Sequence, residues 1–159
     1  MKKFLLVAFS VLLLIFNTAC PLGGGVTKCT FYYDEMIEIV NKIEICWLPT
    51  YASDEQIELL YTLKQEEISE FLEIFCSLSY NKRVPPARHS FTVIKLYYND
   101  GACDWISASG GARYNNGEFA GYAPYCSYED RRPFYNLISK YTEIHEGDVV
   151  WALLKLESV

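Results

Sequence analysis

Six cysteines and two histidines are the side chains with the most reactive chemistry in this sequence. Cys29, Cys46, Cys76, Cys103 and Cys126, with His89 and His145, supply the residue types for a thiol–imidazole nucleophile, in which the ring takes the thiol proton. No local signature of such a site surrounds any of them. His89 follows Pro85-Pro86-Ala87-Arg88 and reads as a solvated loop residue, and His145, between Ile144 and Glu146, reads the same way in a helix-to-tail connection. The shortest gap between cysteines is nine residues, Cys20 to Cys29, so the close pairs of a metal site are absent and neither metal nor cofactor is expected. Ser107-Ala108-Ser109-Gly110-Gly111 is only superficially like a serine nucleophile turn, because it falls within a hairpin rather than between strand and helix. Gly23 to Gly25 lacks the lysine of a phosphate loop. Asp34-Glu35 and Glu66-Glu67 read as solvated carboxylate pairs. The balance favours a protein that is not an enzyme; a small envelope hydrolase using a cysteine or a carboxylate pair is the alternative.

Aromatic side chains are the other chemical resource, with 13 tyrosines and 9 phenylalanines. Tyr114, Phe119, Tyr122, Tyr125 and Tyr128 crowd around one predicted hairpin. Exposed on a sheet, such rings stack on sugars or anchor a protein partner. The competing reading is that strands simply favour tyrosine. With 14 basic against 20 acidic residues the net charge is −6, and there is no basic stripe, which argues against a nucleic-acid partner.

The N-terminus gives a location. Met1-Lys2-Lys3 precedes thirteen residues, Phe4 to Phe16, of which Ser10 alone is polar. That length suits the hydrophobic region of a signal peptide and falls short of the ~20 residues that span a bilayer. Asn17-Thr18-Ala19-Cys20 then looks like the lipobox of bacterial lipoproteins, in which cleavage precedes a cysteine whose sulfur carries a diacylglycerol; Thr18 and Ala19 fit, whereas Asn17 stands where leucine is usual. Secretion with cleavage after Ala19 and an uncleaved anchor are the alternatives. Residues 1–19 are thus expected to be a signal peptide and 20–27, with Gly23-Gly24-Gly25, a flexible tether. Residues 28–159 form one α+β domain held by lipidated Cys20 on the extracytoplasmic face of the cell membrane. Losing Lys2 and Lys3 takes the 14 basic residues to 12 against 20 acidic, a net −8, so the lipid and not surface charge would hold the domain there. Lipidation would leave five thiols, at least one of them unpaired; a free Cys20 would allow three disulfides.

The elements that position these residues follow from periodicity. Ile37, Ile39, Ile43, Ile45 and Trp47 alternate with polar residues and predict a strand over 36–48. Asp54-Glu55 marks a turn, and a second strand follows over 57–63. Thr62 and Gln65 have capping-box spacing ahead of Ile68, Phe71, Leu72, Phe75 and Leu78, which predict a helix over 63–79. Residues 81–90 read as a loop. A strand over 91–98, an Asp100-Gly101 turn and a partner over 102–108 form a hairpin in which Tyr98, Leu96 and Ile94 face Cys103, Trp105 and Ser107 on the core side. Gly110-Gly111 predicts a bulge, and Asn116-Gly117 a hairpin into a strand over 118–125, which puts Cys126 opposite Ser107, about 13 Å from Cys103 and too far to bridge. Phe134, Leu137, Ile138 and Tyr141 predict a second helix, starting near Arg131 so that Pro133 falls in its first turn. The tail over 148–159 suits helix and strand equally. The order ββαβββα gives an antiparallel sheet of about five strands with two helices.

From Ile37 to Tyr141 the chain resembles a loose group of small uncharacterised bacterial lipoproteins and secreted proteins. The resemblance rests on the Thr62-capped helix, Pro85-Pro86, the Asp100-Gly101 hairpin with Asp104-Trp105-Ile106-Ser107, and Tyr125-Cys126 ahead of Phe134, Leu137 and Ile138. It implies an architecture and carries no catalytic residue. Together these features describe a lipid-tethered binding module of inhibitor- or immunity-like kind, with a protein or glycan partner.

Overall fold

A computed structural model describes residues 27–49, 57–82, 91–126 and 131–158. The signal peptide, Cys20, Asp54-Glu55, Pro85-Pro86, His89, Tyr128 and the side chain of Tyr125 lie outside what it describes. Nine strands and four helices are found among the described residues: β1 Thr27–Cys29, α1 Tyr33–Ile39, β2 Val40–Leu48, β3 Glu58–Thr62, α2 Gln65–Ser77, β4 Tyr80–Lys82, β5 Phe91–Tyr98, β6 Ala102–Ser107, β7 Gly110–Asn115, β8 Glu118–Gly121, β9 Tyr125–Cys126, α3 Arg131–Ile138 and α4 Val149–Leu156. All strand pairing is antiparallel, in a six-stranded sheet of order β3-β2-β5-β6-β7-β8 and a three-stranded sheet of order β1-β4-β9. The fold is α+β, with more strands and helices than the five and two expected.

The apolar stripe of α2 buries Ile68, Phe71, Leu72 and Phe75 against the inner face of the large sheet, where Ile43, Ile45, Ile94, Leu96 and Ile106 are fully buried. Phe134, Tyr135, Leu137 and Ile138 of α3 and Val150 and Leu154 of α4 complete this core. The small sheet closes one end. Its central Tyr80 lies between Cys29 and Cys126 in register, packs on Phe31 and Phe75, and donates its hydroxyl proton to the Phe75 carbonyl at 2.8 Å.

Several expectations need correction. The strand over 36–48 begins instead as helix α1. Asp34 and Glu35 in its first turn offset the helix dipole, and Met36 and Val40 share its buried side, leaving Ile37 and Ile39 exposed. Helix α2 is capped at Lys64, not Thr62. Thr62 is still in β3, and Glu67 Oε2 accepts from the Lys64 N–H at 2.8 Å. Gly110-Gly111 forms no bulge. Ser107 and Gly110 pair in regular register, and the Ser107 hydroxyl closes the turn by accepting from the Gly110 N–H at 3.1 Å and donating to the Gly110 carbonyl at 2.6 Å. The strand over 118–125 breaks after Gly121, and residues 125–126 leave for the small sheet; Tyr125 therefore pairs with Asn81, and Cys126 with Tyr80 rather than lying opposite Ser107. The ambiguous tail is a helix, because buried Asp148 caps it by accepting from the Trp151 N–H at 3.0 Å.

The β5–β6 hairpin shifts by one residue. Its turn has three residues, Asn99-Asp100-Gly101, with Gly101 at φ +87° and the Asp100 carboxylate accepting from the Ala102 N–H at 2.9 Å. A three-residue turn of this kind needs the left-handed conformation at its last position, which glycine adopts at no steric cost. Lys95 therefore pairs with Trp105, Tyr97 with Cys103 and Leu96 with Asp104. A slip of one residue reverses every side chain of the partner strand. Cys103 and Trp105 face away from the core, and Asp104 faces into it.

Candidate functional site

The outer face of the large sheet is built by this register. In one row Glu44, Lys95, Trp105 and Ala112 cross β2, β5, β6 and β7; in the next, Lys42, Tyr97, Cys103, Tyr114 and Phe119 continue to β8. The helices pack on the other face. Cys46, Val93 and Cys103 are buried here yet lie outside the helix-packed core. Their cover comes from long neighbours on the same face. Lys42 Nζ lies 4.4 Å from the centre of the Tyr97 ring, and Lys95 Nζ 4.1 Å from that of Trp105. Lys42 also pairs with Glu44 at 2.7 Å, and the Tyr97 hydroxyl donates to Glu44 at 2.7 Å. Burial pushes the Glu44 carboxyl up, but these hydrogen bonds and the lysine charges outweigh it and hold the carboxyl below its usual range.

Toward β8 a chain of ring contacts continues across the face. Trp105 meets Tyr114 at 4.5 Å between centres, Tyr114 meets Phe119 edge-on at 6.1 Å, and Phe119 meets Tyr122 edge-on at 5.4 Å. Phe119 is 57 % exposed and Tyr122 55 %. Two turns set this ridge. Asn116-Gly117, with φ of 53° and 85°, takes the two-residue turn predicted for it and pairs Tyr114 with Phe119. After β8 the chain folds back over Gly111, whose carbonyl accepts from the Ala123 N–H at 3.2 Å. A Cβ at Gly111 would lie 2.8 Å from both the Pro124 and the Trp105 carbonyl oxygens, so only glycine admits the segment that carries Tyr122.

Of the predicted binding residues, the structure brings Tyr114, Phe119 and Tyr122 together, whereas Tyr125 starts a strand of the other sheet. Trp105, Tyr97 and Lys95 belong to the face as well; the two-residue turn leaves Lys95 on this side but places Trp105 on the core side. The extended register of Tyr97 and Trp105 beside lysines was the available signal.

Cys29, Cys46, Cys76 and Cys103 carry no disulfide. Burial pushes Cys46, Cys76 and Cys103 up to about 11, which keeps them protonated at neutral pH. His145 stacks on Trp47 at 3.8 Å, accepts the Gly147 N–H at Nδ1 and turns Nε2 to Glu58 at 3.7 Å, so its neighbours are an indole and a carboxylate. Among the described residues no group of three or more His, Cys, Asp or Glu side chains is arranged to hold a metal ion, and no helix is long and apolar enough to cross a membrane. No family model, no curated protein and no solved structure matches this chain.

Proposed function

We propose that this chain is a lipid-tethered binding domain on the extracytoplasmic face of the cell membrane, and that the Trp105–Tyr114–Phe119–Tyr122 ridge captures its partner, a protein or a glycan. One observation carries the reading: two large rings more than half exposed, in contact with two others, on a sheet face that the helices leave open. Aromatic side chains in such clusters supply large contact area at small entropic cost. The Lys–aromatic pairs beside the ridge hold its inner end rigid, and Gly111 fixes its outer end. The lipobox-like Asn17-Thr18-Ala19-Cys20 supports the tether. The test is affinity capture from envelope extract with residues 20–159 immobilised. Enrichment of one component, removed by protease if a protein and by periodate if a glycan, is the expected result. Recovery of nothing beyond a matched blank column would overturn the reading.

A further inference from the structure

A second site lies on the inner side of the sheet, beyond the Asn99-Asp100-Gly101 turn. A cleft of about 310 Å³ is walled by Phe31, Met36, Ile39 and Tyr98, with Arg113 and Asp100 as its charged groups. At ~30 Å³ per water-sized group it holds roughly ten such groups. Its walls include Ile39, an exposed isoleucine that the core does not use.

Arg113 is held in one orientation. It pairs with Asp104 across β6 and β7, and its Nε and Nη2 donate to the two Asp104 oxygens, the second at 2.8 Å. Asp104 has no solvent exposure and accepts the Tyr98 hydroxyl as well, at 2.8 Å. The guanidinium carbon lies 5.6 Å from the centre of the Tyr98 ring. A guanidinium has five N–H donors, of which Asp104 takes two, and the Arg113 side chain is 51 % exposed. Donors on the far edge thus remain at the cleft in fixed positions. Asp100 directs Oδ1 into its own turn, toward the Ala102 N–H. Asp104 is buried and Arg113 half-exposed, so the pair anchors the guanidinium at the sheet while leaving its outer edge at the cleft.

We propose that this cleft binds a small monocarboxylate with an apolar body, the carboxylate on the free edge of Arg113 and the hydrocarbon against Phe31, Met36 and Ile39. The fork geometry of arginine matches a planar carboxylate. Asp104 offsets much of the arginine charge and Asp100 lies close by, so a singly charged group is favoured over a doubly charged phosphate. The site stands independently of the aromatic ridge and of the tether.

Calorimetric titration of residues 20–159 with octanoate and with 1-octanol tests this. Octanoate is expected to bind at least about tenfold more tightly than octanol, the difference made by a hydrogen bond to a charged group. Arg113→Lys keeps the charge and loses the fork, and should erase that preference. Ile39→Trp fills the cleft from its exposed wall without touching the ion pair, and should abolish binding of both ligands while circular dichroism is unchanged. No binding of octanoate up to about 10 mM, or binding that survives Ile39→Trp, overturns the proposal. Should Arg113→Lys fail to fold, the Ile39→Trp result alone decides.

Discussion

Replacing Asp148 with asparagine should cost about 2–4 kcal/mol of folding stability. Its carboxyl group, fully buried, accepts from the Thr92 N–H at 2.6 Å, the Tyr135 hydroxyl at 2.9 Å and the Trp151 N–H at 3.0 Å. It therefore ties β5, α3 and the start of α4 at one point. Asparagine keeps the shape but offers one acceptor oxygen and turns an amide NH₂ toward a donor. At least one of the three donors is then left unsatisfied in the interior, and each such group costs about 1–3 kcal/mol. Losing charge assistance on the remaining bonds adds to this. Tyr135→Phe, which removes a single hydroxyl, should cost about 1–2 kcal/mol, and the double variant less than the sum, because Tyr135→Phe removes a bond that Asp148→Asn already weakens. Urea denaturation followed by fluorescence measures all three stabilities, with a constant slope as the check on two-state behaviour. A loss below about 1 kcal/mol for Asp148→Asn, or strict additivity with Tyr135→Phe, would refute the three-way junction.

Phe71→Ala, which empties a fully buried position of α2, should cost about 3–5 kcal/mol by the same assay; less than 1 kcal/mol would show that this face does not pack on the sheet. Folding raises the buried Cys46 and Cys103 thiols from 9.0 to about 11, so it favours their protonated form. Their contribution to stability is complete below about pH 9 and declines as the pH rises to about 11, and alkylation of both thiols by iodoacetamide should stay slow at pH 8 in the folded protein; rapid alkylation would place them at the surface. Cys20→Ser should move the protein from the detergent to the aqueous phase on phase separation, and absence of diacylglycerol from the wild-type chain by mass spectrometry would remove the lipid anchor from the proposal.

The parts of this fold that the sequence revealed are those where one pattern dominates. Helix α2 has four apolar residues at helical spacing over thirteen residues, and β5 has bounds set by turn residues on both sides, so both were readable to within two residues. Helix α1, seven residues long, is too short for its period to outweigh the chance alternation of Ile37 and Ile39. Strands of two or three residues, as in the small sheet, have no period at all. The hairpin register turned on whether Asn99 joins the turn, and that was decided by the Asp100 carboxylate bonding the Ala102 N–H, a local side-chain effect that competes with the two-residue turn. Because that one residue sets which face Trp105 occupies, the ridge was legible from Tyr114 to Tyr122 and hidden at Trp105.

The ridge itself is tested most directly by partner capture with its two exposed rings removed. Phe119→Ser/Tyr122→Ser should weaken the captured interaction by at least about 2 kcal/mol, roughly 30-fold in Kd, since truncating central aromatic anchors costs that much or more. Leu153→Ser, which removes another exposed apolar side chain on α4, should leave it unchanged. Equal capture by the wild-type domain and the double variant, with Leu153→Ser the variant that fails, would contradict the assignment of this face as the binding surface.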